Sequence, residues 1–396
     1  MRPDPGQPVS VSEPADVPAG TIQARAEGRG STNVDPSQRL PAAVAKLSVQ
    51  RHGQDHFIVQ GDNGSCPLEQ VSNTRYGRPK MELAGMLEDP DLQSNHRGII
   101  AYLKEWSGTH DEITGWLNQL RGKFGADLRL VIWDDAGFNF PWEMLWLEGD
   151  PADGLPGGWL GSLVSVARWT TLHGDIRKPH SDDPVQCSGQ VLAYVDEAME
   201  DDYRAFIAYT SQQRDDIKDL EKFLERTTDP AERFALLYVA AHGKYSPRWV
   251  QMRLASRFIS DWKDRLGALK KNSGLVFLNA CHTGEFVDDQ TQNDGLLRGI
   301  AQMFLSKGAQ GVVATLGKVD DEHAREVAMQ VIAALGDARG AEVSVVIRDL
   351  RAQAVAKMKD ELADDNADLR PLFWTFMYVY FGNPAATVRL IKNASP

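Results

Sequence analysis

The second half of the chain alternates short apolar runs with longer amphipathic segments. Four continuous apolar runs have the length of buried strands: residues 190–195, 234–241, 274–280 and 311–316. Three further segments place apolar side chains at helical spacing: residues 214–226, 295–308 and 322–336. The segment 373–384 is expected to end the sheet. This alternation predicts an α/β fold in which a mostly parallel sheet carries helices on both faces.

The first half of the chain has a more mixed pattern. Residues 45–60 contain two alternating apolar runs around His52 and Gly53, which is typical of a hairpin. Two segments with helical spacing and two strand-like runs follow: residues 99–106 and 113–125, then 128–135 and 159–170. A stretch rich in Pro, His and Asp comes next. We therefore predict a smaller α+β half over residues 41–183 and a second half over residues 184–396.

The first forty residues differ in composition from the rest. They hold six of the twenty prolines and contain no Phe, Trp or Tyr. Such a segment has few side chains with which to build a core. We predict a disordered leader over residues 1–40.

Composition and charge indicate which classes of binding partner the protein is not expected to have. The chain has 396 residues and carries 43 Lys and Arg against 55 Asp and Glu, a formal net charge of −12. This balance offers no basic excess to neutralise phosphate groups, so neither nucleic acid nor a membrane is expected as a partner. No run approaches the roughly 18 apolar residues of a membrane helix, and the N-terminus lacks the pattern of a signal peptide, so a cytoplasmic location is expected. No glycine-rich phosphate loop or multi-cysteine motif is present, and we expect neither cofactor nor metal.

Two predicted strands lead directly into residues suited to covalent catalysis. The run 234–241 continues into His242 and Gly243, and the run 274–280 continues into Cys281. If the two strands are parallel neighbours, these ends lie about 4.8 Å apart at one edge of the sheet. A thiolate is then available as nucleophile, with an imidazole to take its proton. The plainer alternative is that Cys281 packs as a small apolar group and that His242 is an ordinary surface side chain.

Other residues with reactive or charged side chains are expected to have structural and not catalytic roles. His282 is a poor base for Cys281, because adjacent residues of an extended segment point to opposite faces. Cys66 lies in a turn-rich stretch and is expected on an exposed loop, whereas Cys187 is expected to pack beside a strand. The Glu143 carboxylate is expected to fix a nearby loop through backbone N–H groups.

The segments around His242 and Cys281 resemble the CHAT family of caspase-like cysteine peptidases. The resemblance is carried by YVAAHGKYS, LVFLNACHTGEF, the long segment from NDGLLRGIA to KVDDEHA, and the closing FMYVYFGNP. Upstream, FNFPWEMLW followed by WLGSLVSVAR is also similar, so the likeness covers about residues 43–390. It implies a caspase-like fold, a dyad of His242 and Cys281, and an oxyanion hole formed by the backbone N–H groups of Gly243 and Cys281. The tetratricopeptide repeats often fused to this family are missing, so any sensor is expected to be a separate protein or to lie in the N-terminal half of this chain.

The resemblance also bears on substrate preference. Relatives of this architecture often cleave after Arg or Lys, which requires a carboxylate in the primary pocket. The candidates are Asp196, after the first strand of the second half, and Asp321, after the run 311–316. Both have alternatives: Asp196 begins an acidic run that suits a solvated loop, and Asp321 suits the start of a helix that Asp320 would cap.

The sequence therefore predicts a cysteine endopeptidase for limited proteolysis of a partner protein. The resemblance implies a role in bacterial defence or regulated signalling, with a pore-forming or regulatory effector as the substrate. The leading alternative is a catalytically silent caspase-like module that serves only in assembly. A third possibility is a doubly wound ligand-binding protein in which Cys281 is incidental, although no glycine-rich phosphate loop favours it. Labelling of Cys281 by a cysteine-reactive probe only when His242 is present would separate the peptidase from both.

Overall fold

The computed structural model describes residues 41, 43–63, 75–79, 96–172, 185–270, 274–288, 297–337, 339–361 and 367–393. The predicted leader, the predicted boundary at 183/184 and Cys66 lie outside these residues. The strands in chain order are β1 Val44–His52, β2 His56–Asp62, β3 Tyr76–Gly77, β4 Arg129–Asp134, β5 Trp146–Leu147, β6 Gly158–Trp159, β7 Ser165–Trp169, β8 Val185–Gly189, β9 Val191–Val195, β10 Leu236–Ala240, β11 Gly243–Lys244, β12 Arg253–Leu254, β13 Arg257–Phe258, β14 Leu275–Asn279, β15 Phe286–Asp288, β16 Leu297–Gly299, β17 Gly311–Thr315, β18 Ala341–Glu342, β19 Tyr378–Gly382 and β20 Ala386–Leu390.

The α-helices among the described residues lie mostly between these strands. In chain order they are α1 His96–Gly108, α2 Asp111–Phe124, α3 Leu160–Leu163, α4 Tyr203–Phe206, α5 Arg214–Ile217, α6 Leu220–Thr228, α7 Ile259–Lys263, α8 Ile300–Ser306, α9 Asp321–Leu335, α10 Val343–Glu361 and α11 Arg370–Met377. None of these helices has the length and apolar character needed to cross a membrane.

A ten-stranded sheet forms the centre of the described structure. Its strand order is β3-β2-β1-β4-β7-β19-β17-β14-β10-β9. The pairs β1/β4, β4/β7, β7/β19, β17/β14, β14/β10 and β10/β9 are parallel, and the other three pairs are antiparallel. The predicted hairpin is present, since His52 pairs with His56 across β1 and β2. The predicted α/β fold with a mostly parallel sheet is confirmed.

Strand β19 joins the parts of the sheet that were predicted as two halves. It pairs antiparallel with β17 from Tyr378 to Gly382 and parallel with β7 through Phe381. The Trp169 Nε1–H donates to the Gly382 carbonyl across the second of these junctions, at 2.8 Å. The segment 373–384 does supply the last strand of this sheet in chain order, but that strand lies in the middle of the sheet and not at its edge. The two predicted halves share one sheet, and the boundary between them stays a prediction.

Three predicted elements are interrupted in the structure. Residues 160–163 form the short helix α3, which interrupts the longer strand expected over 159–170: Trp159 ends β6, and β7 begins only at Ser165. The helix expected over 295–308 starts only at Ile300, after the short strand β16. The helix expected over 214–226 is split, because the Asp219 side chain caps the start of α6 by accepting from two backbone N–H groups.

Helix α10 is a long element that the apolar pattern does not predict. It packs against both β7 and β19, the strands at the junction. Its buried face includes Arg351, whose side chain is only 1% exposed, and Ser344. Polar residues on the inner face interrupt the periodicity by which a helix is recognised in a sequence.

A buried ion cluster ties α10 to the first half of the chain. The Glu143 carboxylate accepts from Nε of Arg168 at 3.1 Å and also from its Nη2, and Nη2 of Arg351 lies 3.6 Å from Glu143 Oε1. Burial acts to raise the pKa of Glu143, but the two guanidinium groups outweigh it and hold that pKa below its usual range. Burial lowers the pKa of Arg351 to about 10, so Arg351 is still a cation at neutral pH. The expectation that the Glu143 carboxylate binds loop N–H groups is therefore corrected, because this carboxylate forms ion pairs with the buried Arg168 and Arg351.

The Glu143→Gln variant should lower the free energy of unfolding by about 3–5 kcal/mol, because it leaves two buried guanidinium groups without a counter-charge. The matched control is Glu342→Gln, which breaks the partly exposed Arg129–Glu342 pair and should cost about 1 kcal/mol or less. Urea unfolding at pH 7 measures both. Since the folded pKa of Glu143 is depressed, its contribution should be present above about pH 4 and be lost as pH falls through the folded pKa. Equal losses in the two variants would contradict this account of the cluster.

Candidate active site

The residues proposed for catalysis follow adjacent strands at one edge of the sheet. Ala240 of β10 pairs with Asn279 of β14 on one side and with Val195 of β9 on the other. His242 and Cys281 therefore each come two residues after a paired position, and the expectation that their strands are parallel neighbours is confirmed. Carboxyl ends of parallel strands are where open α/β sheets place their binding and catalytic loops.

Gly243 lies directly against the backbone of Cys281. A Cβ atom at Gly243 would come within 2.0 Å of the Cys281 carbonyl oxygen, so no larger residue fits without moving one of the two segments. At this point the chain leaves the central sheet, because Gly243 begins β11 and pairs with Leu254 in a small antiparallel sheet. The backbone carbonyl of His242 accepts a hydrogen bond from the N–H of Ala255 at 3.1 Å. The His242 side chain is exposed. Glycine is thus required here for close approach of two backbones.

Cys281 opens a tight turn that packs on the loop after β17. The N–H of His282 donates to the Gly317 carbonyl at 3.2 Å, and the Cys281 thiol donates to the Val319 carbonyl with an Sγ–O distance of 3.9 Å. The thiol is partly exposed. The turn places Cys281 between β10 and the loop that precedes α9.

The reason given from the sequence for dismissing His282 as a base is wrong. His282 lies in a turn with φ of +60°, and not in an extended segment. Its Nδ1 lies 2.5 Å from Oε1 of Glu285, a carboxylate that is largely buried. The imidazole of His282 is therefore held by Glu285, while His242 emerges from the neighbouring strand.

A buried hydrogen-bond network lies under the end of β14. The Tyr238 hydroxyl donates to Oδ2 of Asp202 at 2.6 Å, and Nδ2 of Asn279 donates to the same oxygen at 2.8 Å. The Tyr378 hydroxyl donates to Oδ1 of Asn279 at 2.7 Å. Burial raises the pKa of Asp202, although the bonds from Tyr238 and Asn279 oppose the rise. The network joins β10, β14 and β19 two residues before Cys281, and it holds together the strand ends that carry the site.

The sequence gives only a partial signal for this network. Asn279 belongs to the Asn-Ala-Cys segment, and a polar residue at the end of a buried strand requires a partner. Tyr238 and Tyr378 lie in apolar runs where an aromatic side chain is unremarkable, and Asp202 lies in an acidic run. Only the folded chain brings residues 202, 238, 279 and 378 together.

The two candidate pocket carboxylates occupy different environments. Asp196 follows β9, is half-buried, and caps the short helix Glu197–Asp202 by accepting from the N–H of Ala198. The Tyr194 hydroxyl also donates to it at 3.5 Å. Asp321 is exposed at the start of α9, where Asp320 is the N-cap residue as expected. Both lie after strands of the same sheet edge, and Asp196 is the better shielded of the two.

The remaining groups with ligand chemistry do not form a second site in the described part of the chain. Cys187 is buried within β8, and burial raises the pKa of its thiol to about 12, so this cysteine is a packing residue as expected. Among the described residues, no group of three or more His, Cys, Asp or Glu side chains is arranged to hold a metal ion.

Residues 210–383 match the family model of the CHAT domain. The chain is similar to the CHAT domain over this region, which contains β10, β14, β17 and β19 together with His242 and Cys281. The family match does not extend upstream of residue 210, so the resemblance seen around Glu143 stays a prediction.

Solved structures give a more distant likeness, and the comparison with curated proteins gives no match. The Arg-specific cysteine proteinase gingipain R of Porphyromonas gingivalis is 13% identical with a TM-score of 0.41, over 71% of this chain and 69% of that one. Separase in the Saccharomyces cerevisiae separase–securin complex is 10% identical with a TM-score of 0.47, over 88% of this chain. The chain spans only 30% of that separase.

The Gly243→Ala variant should be strongly destabilised in the loop beside Cys281, because its Cβ would collide with the Cys281 carbonyl. The melting temperature should fall. The matched control is Gly115→Ala on the exposed face of α2, where a Cβ meets nothing within 4 Å, and this change should add about 0.5–1 kcal/mol of stability. Differential scanning calorimetry compares the two variants. A Gly243→Ala protein as stable as the wild type would show that the two backbones are not in contact.

Proposed function

We propose that the CHAT-like region of this protein is a cysteine endopeptidase with Cys281 as nucleophile and His242 as general base. The observation that carries this proposal is the register of β10 and β14, which brings His242 and Cys281 to adjacent strand ends. The packing of Gly243 on the Cys281 backbone supports it, because both backbone segments then face the same space. Cys281 is partly exposed and His242 is exposed, as residues that meet a substrate must be.

The chemistry follows from these two side chains. The His242 imidazole takes the Cys281 thiol proton, and the thiolate attacks the scissile carbonyl carbon as the C=O π electrons move to oxygen. The backbone N–H groups of Gly243 and Cys281 are proposed to stabilise that oxyanion. The C–N bond then breaks, His242 gives its proton to the leaving amine, and a thioester remains. Water, losing a proton to His242, adds to the thioester, and the Cys281 thiol leaves with that proton.

The biological setting is proposed from the family resemblance. We place the protein in the cytoplasm, where it would cut a partner protein at a limited number of sites in bacterial defence or regulated signalling. A pore-forming or regulatory effector is the proposed substrate, and a separate protein would act as sensor or activator. The second candidate function, a catalytically silent interaction module, has no specific observation in its favour, since the proposed dyad residues are present.

Substrate preference is proposed to depend on Asp196. This carboxylate lies at the same sheet edge as the dyad, and half-burial reduces the competing hydration of a substrate cation. Asp321 is the weaker candidate, because it is exposed and an exposed charge pair contributes about 1 kcal/mol or less. A preference for Arg or Lys before the scissile bond follows if either carboxylate lines the pocket.

The dyad is tested by Cys281→Ala and His242→Ala. Each variant should lose cleavage of candidate effector proteins, with cleavage sites read by mass spectrometry, while the melting temperature changes little because neither residue lies within a strand. The matched control for histidine is His56→Ala, an exposed residue of β2 that should retain full activity. Turnover retained by the Cys281→Ala protein, measured on the same substrate, would show that the dyad does not catalyse cleavage. A wild-type protein that binds effectors without cutting them would favour the interaction module.

The pocket is tested by Asp196→Asn, which removes the charge but keeps an N-cap side chain. It should lower kcat/KM for an Arg fluorogenic peptide by about tenfold or more, whereas Asp321→Asn should lower it by about fivefold or less. Asp219→Asn changes another N-cap aspartate, the one that begins α6, and should leave kcat/KM unchanged. A wild-type enzyme that cuts after Leu as readily as after Arg would refute a basic preference.

A further inference from the structure

The carbonyl that precedes Cys281 is held by two buried threonines. The Thr283 hydroxyl donates to the Ala280 carbonyl at 2.9 Å, and the Thr315 hydroxyl donates to the same oxygen at 2.7 Å. Both threonines are fully buried, at 0% and 1% exposure. One carbonyl oxygen thus uses both of its lone pairs on side-chain hydroxyl groups.

The two threonines are themselves fixed by backbone contacts. The N–H of Thr315 donates to Oγ1 of Thr283 at 3.3 Å, and the N–H of Gly284 donates to the Thr315 carbonyl at 2.7 Å. The carbonyl of Thr283 accepts from the N–H of Ala301 at the start of α8. The turn after Cys281, the end of β17 and α8 therefore form one connected support.

This support determines the direction of the Cys281 N–H. The Ala280 carbonyl and the Cys281 N–H belong to the same peptide unit, which is planar, and no cis peptide is present in the described residues. In a trans peptide the C=O and N–H bonds point in opposite directions. Because the carbonyl points at the buried threonines, the N–H points away from them.

We propose that Thr283 and Thr315 are positioning residues that aim the Cys281 N–H at the substrate oxyanion. The proposal rests on the proposed function, in which this N–H is one of two oxyanion donors. Donors of this kind lower a barrier because they are oriented before the reaction begins. Two hydroxyl bonds to one oxygen restrict rotation of the peptide plane more than a single bond, so loss of either hydroxyl leaves the N–H less well aimed.

A purely structural role would satisfy the buried carbonyl and nothing more. The two roles differ in what they change. A structural role affects stability, whereas a positioning role also affects the step in which negative charge develops on the substrate oxygen. The test therefore pairs a reagent that forms an oxyanion with one that does not.

The variants are Thr283→Val and Thr315→Val in the full chain, since valine has the shape of threonine without its hydroxyl. Thr227→Val is the matched control, because Thr227 is also buried and its hydroxyl also donates to the backbone away from the site, lying 3.0 Å from the Leu224 carbonyl oxygen and 2.8 Å from the Arg265 carbonyl oxygen. Thr315→Ser restores a hydroxyl. Where a valine variant does not fold, the corresponding alanine variant replaces it, since alanine leaves space for a water at the Ala280 carbonyl.

Three measurements are made on each protein. For a fluorogenic Arg peptide, kcat should fall about 10- to 100-fold in the Thr283 and Thr315 variants, with KM changed by less than about twofold. Inhibition by the matching peptide aldehyde should weaken by a similar factor, because the Cys281 thiol adds across the aldehyde C=O and places its oxygen in the same hole. Alkylation of Cys281 by iodoacetamide should stay within about twofold of the wild-type rate, because displacement of iodide creates no oxyanion.

The outcomes separate this inference from the proposed function. A fall in kcat and aldehyde inhibition with unchanged alkylation, reversed in Thr315→Ser and missing in Thr227→Val, supports it. An active wild type whose Thr283 and Thr315 variants match Thr227→Val in all three measurements overturns the inference alone. Equal losses in turnover and alkylation also overturn it, because the thiol itself is then disturbed. A wild type that cleaves neither an Arg peptide nor a Leu peptide and reacts with neither matching aldehyde overturns the proposed function and this inference together.

Discussion

The pairing of β19 in the middle of the sheet is the constraint on which the rest of the structure depends. This strand is antiparallel to β17 and parallel to β7. It therefore joins the parallel strands β1, β4 and β7 to the parallel strands β17, β14, β10 and β9 in one sheet. The carbonyl of Tyr378, its first residue, accepts from the buried Arg351, and the Tyr378 hydroxyl reaches Asn279 under the candidate site. A single residue thus connects the ion cluster around Glu143 with the strand that leads to Cys281.

The candidate site is built largely from backbone, and its precision comes from the buried polar groups below it. Gly243 approaches the Cys281 carbonyl, two threonines hold the Ala280 carbonyl, and Asn279 anchors the end of β14. Unsatisfied polar groups in such a place are costly, so each bond in the set reinforces the others. A reactive turn can therefore be exposed to substrate while its supports remain in the core.

Buried charge has a different role in the first half of the chain. Glu143 lies between Arg168 and Arg351, and the half-buried Asp134 lies near Arg168 and accepts from Trp142. Such clusters add little net stability compared with apolar packing, but they are specific, because a mispaired partner leaves a charge alone. The cluster fixes how α10 lies against β7 and β19, and through Tyr378 it bears on the position of the site.

The sequence by itself determined the parallel strands, the hairpin and the two strand ends that carry His242 and Cys281. Apolar runs and periodicity are local properties, and a residue at a strand end keeps that position in any sheet the strand joins. The break at Asp219 and the turn that brings His282 to Glu285 arise from local contacts, which apolar periodicity does not show. The tertiary structure decided the central place of β19. It also assembled Asp202, Tyr238, Asn279 and Tyr378, and it placed Thr315 on the carbonyl before Cys281. The hydrogen bonds in this network and at the Ala280 carbonyl join residues far apart in the chain. No local sequence pattern specifies these partners, because strand order and register determine which buried polar groups meet.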